Sequence, residues 1–149
     1  MRAVLQRVQS ASVEVDGAPV ASIGRGLLVL AGLHESDTDR DMEFIAGKIY
    51  GARIFNDAEG VMNLSVTETG GEVLLVSQFT LYGDLRKGKR PSYSSAMKPD
   101  AARGAFERFV VLCKAIHAKT RAGVFGADMK VTLVNDGPVT ILVDSSRLF

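Results

Sequence analysis

The first fifteen residues constrain the fold more than any other stretch. From Arg2 to Val15 the side chains alternate: Val4, Gln6 and Val8 oppose Leu5 and Arg7, and then Ala11, Val13 and Val15 share one side. A period of two puts successive side chains on opposite faces of an extended backbone, so this stretch predicts one long strand or two shorter ones. A strand leaves its backbone donors and acceptors open along both edges, so the rest of the chain must pair with it. Asp16-Gly17 supplies hairpin chemistry at its end. Residues 20–23 and 27–33 follow as further strands, divided by Gly24 and Gly26.

The period then changes. Over residues 37–51, Met42, Ile45 and Ile49 fall at helical spacing, continued by Ala52, and Asp37 or Thr38 can cap the start. Residues 53–55 and 61–66 flank a second turn signal, "NDAEG". Residues 73–81 form a dense apolar run broken by Ser77 and Gln78. Pro99-Asp100 opens the longest helix, predicted to about Lys119, with Phe106, Phe109, Val110, Cys113 and Ile116 on one face. Residues 129–134 and 140–143 read as two last strands with "NDGP" as the turn between them. Many strands and two main helices predict an α+β domain: a curled, barrel-like, mostly antiparallel sheet with the helices outside.

At 149 residues the chain suits a single domain, residues 1–149, with a true core. A net charge of +1 means that a nucleic-acid partner needs a local basic patch. The lone Cys113 excludes an internal disulfide and a cysteine-built metal site. No metal or cofactor is expected. The apolar runs are too short to span a bilayer, and the alternating N-terminus is not a signal peptide. A cytoplasmic protein without a membrane partner is the simplest expectation.

The familiar catalytic sets are missing. His34 and His117 are the two histidines, both expected at the surface, and no Gly-x-Ser-x-Gly elbow, His-Glu-x-x-His pair or phosphate loop occurs. Cys113 falls on an apolar helix face and is expected in the core. Ser77, Gln78 and Thr80 carry polar groups into a strand that should be buried. Either they alternate outward on an edge, or the strand end opens into a pocket where backbone donors meet an oxyanion. Residues 85–93, "LRKGKRPSY", hold Arg86, Lys87, Lys89 and Arg90, with no acid between Asp84 and Asp100. That is either a solvated loop or a phosphate contact, with Ser92, Tyr93 and Ser94 able to stack on or bond to a nucleotide. Pro138 removes a backbone donor where a strand should begin, and it permits a cis bond.

Together these segments resemble the D-aminoacyl-tRNA deacylases. The likeness is carried by "QRV" (6–8), "GLLVL" (26–30), "RIFNDAEGVMNLSV" (53–66), "VSQFTL" (76–81), "KGKRPSY" (87–93) and "VNDGPVT" (134–140), in order from Met1 to about Val143. Tyr93 stands where the family more often has Phe, and the ring is kept.

The resemblance implies a homodimer with active sites at the subunit interface. It implies hydrolysis of the ester of D-aminoacyl-tRNA, and of glycyl-tRNA, with L-aminoacyl-tRNA spared. Ser77, Gln78, Phe79 and Thr80 would line the pocket for the adenosine and the ester. Gly137 and Pro138, joined by a cis bond, would project from one subunit into the other and select chirality by leaving no space for an L side chain. Arg7 would hold the Gly-Pro segment through backbone hydrogen bonds, and Phe125 and Met129 would complete an apolar wall. Arg86, Lys87, Lys89 and Arg90 would contact tRNA phosphates. For the chemistry two candidates stand: Thr80 as nucleophile, or the tRNA 2′-hydroxyl assisting a water, favoured because no general base is evident. A tRNA-binding module without catalysis and a general small-ester hydrolase are the alternative classes.

Overall fold

The computed structural model describes residues 1–149. Its elements are β1 (Arg2–Val15), β2 (Ala18–Ile23), β3 (Gly26–Gly32), α1 (Asp39–Gly51), β4 (Phe55–Asn56), β5 (Met62–Leu64), β6 (Glu72–Ser77), a 3₁₀ turn (Phe79–Tyr82), α2 (Pro99–Ile116), β7 (Thr120–Ala122) and β8 (Met129–Asp144).

The alternating N-terminal segment is one strand, and it organises the rest. One edge of β1 pairs with β3 from Arg2 to Val8 and with β2 from Ala11 to Val15, while its other edge pairs with β8. All three pairings are antiparallel. The remainder of the sheet is parallel: β6 joins β3 on one side and β7 on the other. The sheet is therefore mixed, and the expected antiparallel character belongs to the partners of β1. Of these parallel strands, β3 and β6 are apolar on both faces, as strands buried on both sides must be. Leu27, Val29 and Leu75 pack with Ile45 and Ile49 of α1 and Phe106 and Phe109 of α2. Leu28, Leu74 and Val76 face the opposite way, into a second cluster with Val8, Val13 and Ile23. The sheet curls around that second cluster, and Gly24 N–H donates to Glu72 Oε2 at 2.6 Å where β2 meets β6.

Of the two caps the sequence offered for α1 the structure uses one, and three further readings change. Thr38 caps α1, with the Asp41 carboxylate accepting from its backbone N–H at 2.9 Å and its hydroxyl at 2.7 Å; Asp37 instead binds the Met1 amino group and His34 N–H. The longest helix ends at Ile116, whose side chain is exposed, and the His117 ring turns to the Gly71 carbonyl at 2.8 Å. The apolar run 73–81 is a strand only to Ser77 and then tightens into the 3₁₀ turn.

The third change matters most. "NDGP" is not a turn between two strands. Gln6 of β1 pairs with Thr140 and Val8 pairs with Asn135, so two steps along β1 answer five along β8. Pairing resumes in the same antiparallel sense, so residues 136–139 are an excursion from one continuous strand.

Candidate functional site

The carboxyl ends of the parallel strands β3 and β6 open into a cavity of about 620 Å³, a usual position and size for a small-molecule site. Ala31, Leu33 and Val76 come from the strand ends, and Ser77, Gln78 and Phe79 form one rim. Phe125, Asp128, Met129 and Val131 stand in the facing wall, and Ala96, Met97, Lys98 and Ala102 add lining from the start of α2 and the segment that leads into it. Apolar walls with a few hydrogen-bonding groups at the rim suit an organic group that must be both enclosed and oriented.

The rim follows from where β6 stops. Gln78 N–H donates to the Ala31 carbonyl at 2.8 Å, and the chain then folds over β3. Only a glycine at position 32 permits this, because a Cβ there would lie 2.8 Å from the Gln78 carbonyl oxygen and 3.2 Å from Leu81 Cβ. The Gln78 side-chain amide donates to the Thr80 hydroxyl. Phe79 is 57% exposed and meets Tyr93 edge-on, with ring centroids 5.0 Å apart. Both rings line the cavity, so its mouth carries two aromatic faces. Thr80 is exposed and its side chain is not part of the lining.

Phe125 packs on Phe106 at 6.0 Å and carries the Arg103 guanidinium 5.2 Å from its ring centre, which fixes the far wall.

Gly137 and Pro138 do not line this cavity. They lie exposed on the β8 excursion and are joined by a cis peptide bond. Gly137 adopts φ +148°, a region for which glycine is suited, and a Cβ there would lie 2.6 Å from Val139 Cγ2. Beneath the excursion Arg7 is buried. Its Nε donates to the Asp136 carbonyl at 2.8 Å and its Nη1 to the Ile54 carbonyl at 2.7 Å, with the Asp136 carboxylate 3.7 Å away. Arg7 therefore faces inward and ties the excursion to the segment before β4, as a fork of donors can.

In the basic segment Arg86 is already committed. Its Nη2 lies 2.7 Å from Asp84 Oδ2, and its side-chain bonds hold the Asp84 carboxyl well below the usual range. Lys87, Lys89 and Arg90 are exposed and form no ion pair. Neither histidine lines the cavity: His34 Nδ1 bonds Ser36 and His117 Nε2 meets Gly71. Cys113 is fully buried on α2, and burial pushes its thiol up to about 12, which suits a core residue.

Three groups of site residues escaped the sequence reading, and for one of them, Gly126, Ala127, Asp128 and Val131, the only signal was nearness to Phe125 and Met129. Ala96, Met97 and Lys98 join the lining because Pro99 starts α2 at the cavity mouth, and the proline was the available signal. Asn135 closes the excursion on itself, and its place directly before Asp-Gly-Pro was the only hint.

A curled mixed sheet, helices on one face and an apolar cavity at the strand ends define a domain built to hold a small organic group at its rim. The chain matches the D-Tyr-tRNA(Tyr) deacylase family model over residues 4–144. It is 54% identical over 149 residues to the D-aminoacyl-tRNA deacylase of Thermosipho africanus, and 56% identical over 149 residues to that of Thermotoga petrophila. Both alignments cover 100% of each chain. Among solved structures, the c-Myc DNA Unwinding Element Binding Protein superposes with a TM-score of 0.93 at 39% identity, over 97% of this chain and 98% of that one. A probable eukaryotic D-amino acid tRNA deacylase superposes with a TM-score of 0.83 at 18% identity, over 95% and 97%, a likeness of fold. The chain belongs to the D-Tyr-tRNA(Tyr) deacylase family.

Proposed function

We propose that this chain hydrolyses the ester joining a D-amino acid, or glycine, to the terminal adenosine of tRNA, and that it spares the L-aminoacyl ester. Family membership over nearly the whole chain supports the substrate class. The observation that carries the mechanism is a separation: the Gln78–Phe79 rim and the Gly137-Pro138 excursion are each well formed, yet they lie apart in one chain.

A second copy of the chain brings them together. β8 pairs only with β1, so its outer edge is open on both sides of the excursion, and Val134, Ile141 and Leu142 are exposed along it. A long apolar edge of this kind favours association. In the homodimer Gly137 and Pro138 of one copy enter the cavity of the other. Their carbonyl oxygens accept from the substrate α-ammonium, and their backbone occupies the space an L side chain would need. Glycine has no side chain to clash and is therefore cleaved.

The aromatic mouth of Phe79 and Tyr93 receives the adenosine, against a wall of Phe125 and Met129. The amides of Phe79 and Thr80 face the developing oxyanion. Thr80 is not the nucleophile in this reading. Its hydroxyl accepts from the Gln78 amide, a group that cannot take a proton, and no imidazole or carboxylate is bonded to it. Water attacks the ester carbon instead, assisted by the 2′-hydroxyl of the adenosine. The carbon–oxygen bond to the 3′ position breaks, the 3′ oxygen takes a proton, and free amino acid and tRNA leave. Lys87, Lys89 and Arg90 meet the tRNA phosphates, while Arg86 stays paired with Asp84. No helix is long and apolar enough to cross a membrane. A tRNA-acting enzyme of this kind works in the cytoplasm.

The test is hydrolysis of D-aminoacyl-tRNA by Thr80→Ala, beside a substrate whose terminal adenosine lacks the 2′-hydroxyl. The expected result is turnover retained in the variant and lost with the 2′-deoxy substrate. A Thr80→Ala protein that binds substrate but cannot cleave it would overturn this chemistry.

A further inference from the structure

The turn that carries Phe79 and Thr80 opens with these two exposed residues, so its position is set from the groups that flank them. At the start, Gln78 N–H is bonded to the Ala31 carbonyl. At the far end stands Arg2. Its Nη1 donates to the Leu81 carbonyl at 3.0 Å, its Nε donates to Asp144 Oδ2 at 2.9 Å, and its guanidinium carbon lies 4.6 Å from the centre of the Tyr82 ring. Asp144 is 4% exposed and its other oxygen accepts the Ser146 N–H at 2.7 Å, so the anchor is itself fixed. Tyr82 is buried and its ring meets that of His34 at 5.2 Å. Arg2 also lies between Gly32 of β3 and Asp144 of β8 in the sheet register.

We infer that Arg2 is a positioning residue for the hydrolytic turn: its guanidinium spans Asp144 and the Leu81 carbonyl and thereby sets the amides of Phe79 and Thr80 against the ester. This rests on the function proposed above. Of the surroundings of Arg2, Asp144 orients the fork, Tyr82 stacks on it, and the Leu81 carbonyl is the group it holds. A guanidinium does this because its donors point in two fixed directions at once; an ammonium on a flexible stem does not. A shift of the turn by a fraction of its width moves the oxyanion donors off their target, and misplacement on that scale costs rate more than binding. The adenosine would still find its aromatic mouth, because Phe79 and Tyr93 remain.

The experiment compares wild type, Arg2→Lys and Asp144→Asn. Four quantities are read: kcat and KM on D-aminoacyl-tRNA, Tm, and hydrogen exchange of the amides in the turn. Arg2→Lys keeps the charge and the stem but loses the fork. The expected result is a kcat lower by about tenfold or more with KM within about twofold, as for loss of a transition-state contact. Exchange over Phe79–Tyr82 should quicken while β6 keeps its protection. Asp144→Asn frees the fork by a second route and should act in the same direction. Wild-type kcat in Arg2→Lys would overturn the inference, as would a loss of rate matched by a general loss of protection in β6. Inactivity of the wild type itself would overturn the proposed function instead, so the two failures are distinguishable.

Discussion

Asn135 closes on Val139 with both ends of its side-chain amide. Its Oδ1 accepts the Val139 N–H at 2.8 Å, and its Nδ2 donates to the Val139 carbonyl at 3.2 Å. One side chain thus does for the excursion what a partner strand does elsewhere: it satisfies a residue that has left the ladder. Arg7 works from beneath, through the Asp136 carbonyl, so Gly137 and Pro138 are presented by a frame bonded on both sides.

Replacing Asn135 by Ala leaves the buried Val139 without a partner for either backbone group. The expected cost is about 1–3 kcal/mol, read as a lower urea midpoint with the m-value unchanged. The loosened excursion should also discriminate less, so that cleavage of the L-ester rises relative to the D-ester.

The basic segment should divide into three free cations and one that is spoken for. Changing Lys87, Lys89 and Arg90 together to Ala should flatten the plot of log Kd against log salt for tRNA by roughly two to three units of slope. Arg86→Ala should leave the slope nearly unchanged, because Asp84 already balances its charge. Filter binding of tRNA over a salt series measures both.

Asp41 predicts an acid-dependent contribution to stability. Hydrogen bonding from the Thr38 backbone, supported by its hydroxyl, pulls the Asp41 carboxyl from 3.8 down to about 2. The folded state therefore favours the ionised form, and the benefit is present above roughly pH 4 and lost as the pH falls toward 2. Asp41→Asn should cost about 1 kcal/mol at pH 7, the usual scale for a helix cap, and much less near pH 2. Urea unfolding of both proteins at the two pH values checks the sign.

Local chemistry accounts for what the sequence disclosed. The alternation of β1, the capping residues before α1 and Pro99 at the start of α2 act within a few residues, and each element formed where its pattern lay. The excursion at 135–140 carries the same Asn-Asp-Gly chemistry as a hairpin turn. What makes it a detour instead is β1, more than a hundred positions earlier, which runs unbroken alongside. The end of β6 at Ser77 was hidden for a similar reason: Gly32 of a neighbouring strand makes room for the turn, and no residue near Ser77 announces it. Ser77, Gln78, Phe79, Phe125 and Met129 do converge on one cavity. Arg7 is locally only a polar interruption in an alternating strand; its tie to the Gly-Pro segment came from the resemblance, and its contacts to Asp136 and Ile54 are ones no local pattern reports.

The central claim is that the site tells the two hands of an aminoacyl ester apart. The direct measurement is the rate of ester loss from one tRNA charged with the D- and the L-form of the same amino acid, with glycyl-tRNA beside them. The account predicts rapid loss of the D- and glycyl esters while the L-ester decays no faster than without protein. Equal cleavage of the D- and L-esters, or cleavage of neither, would contradict it.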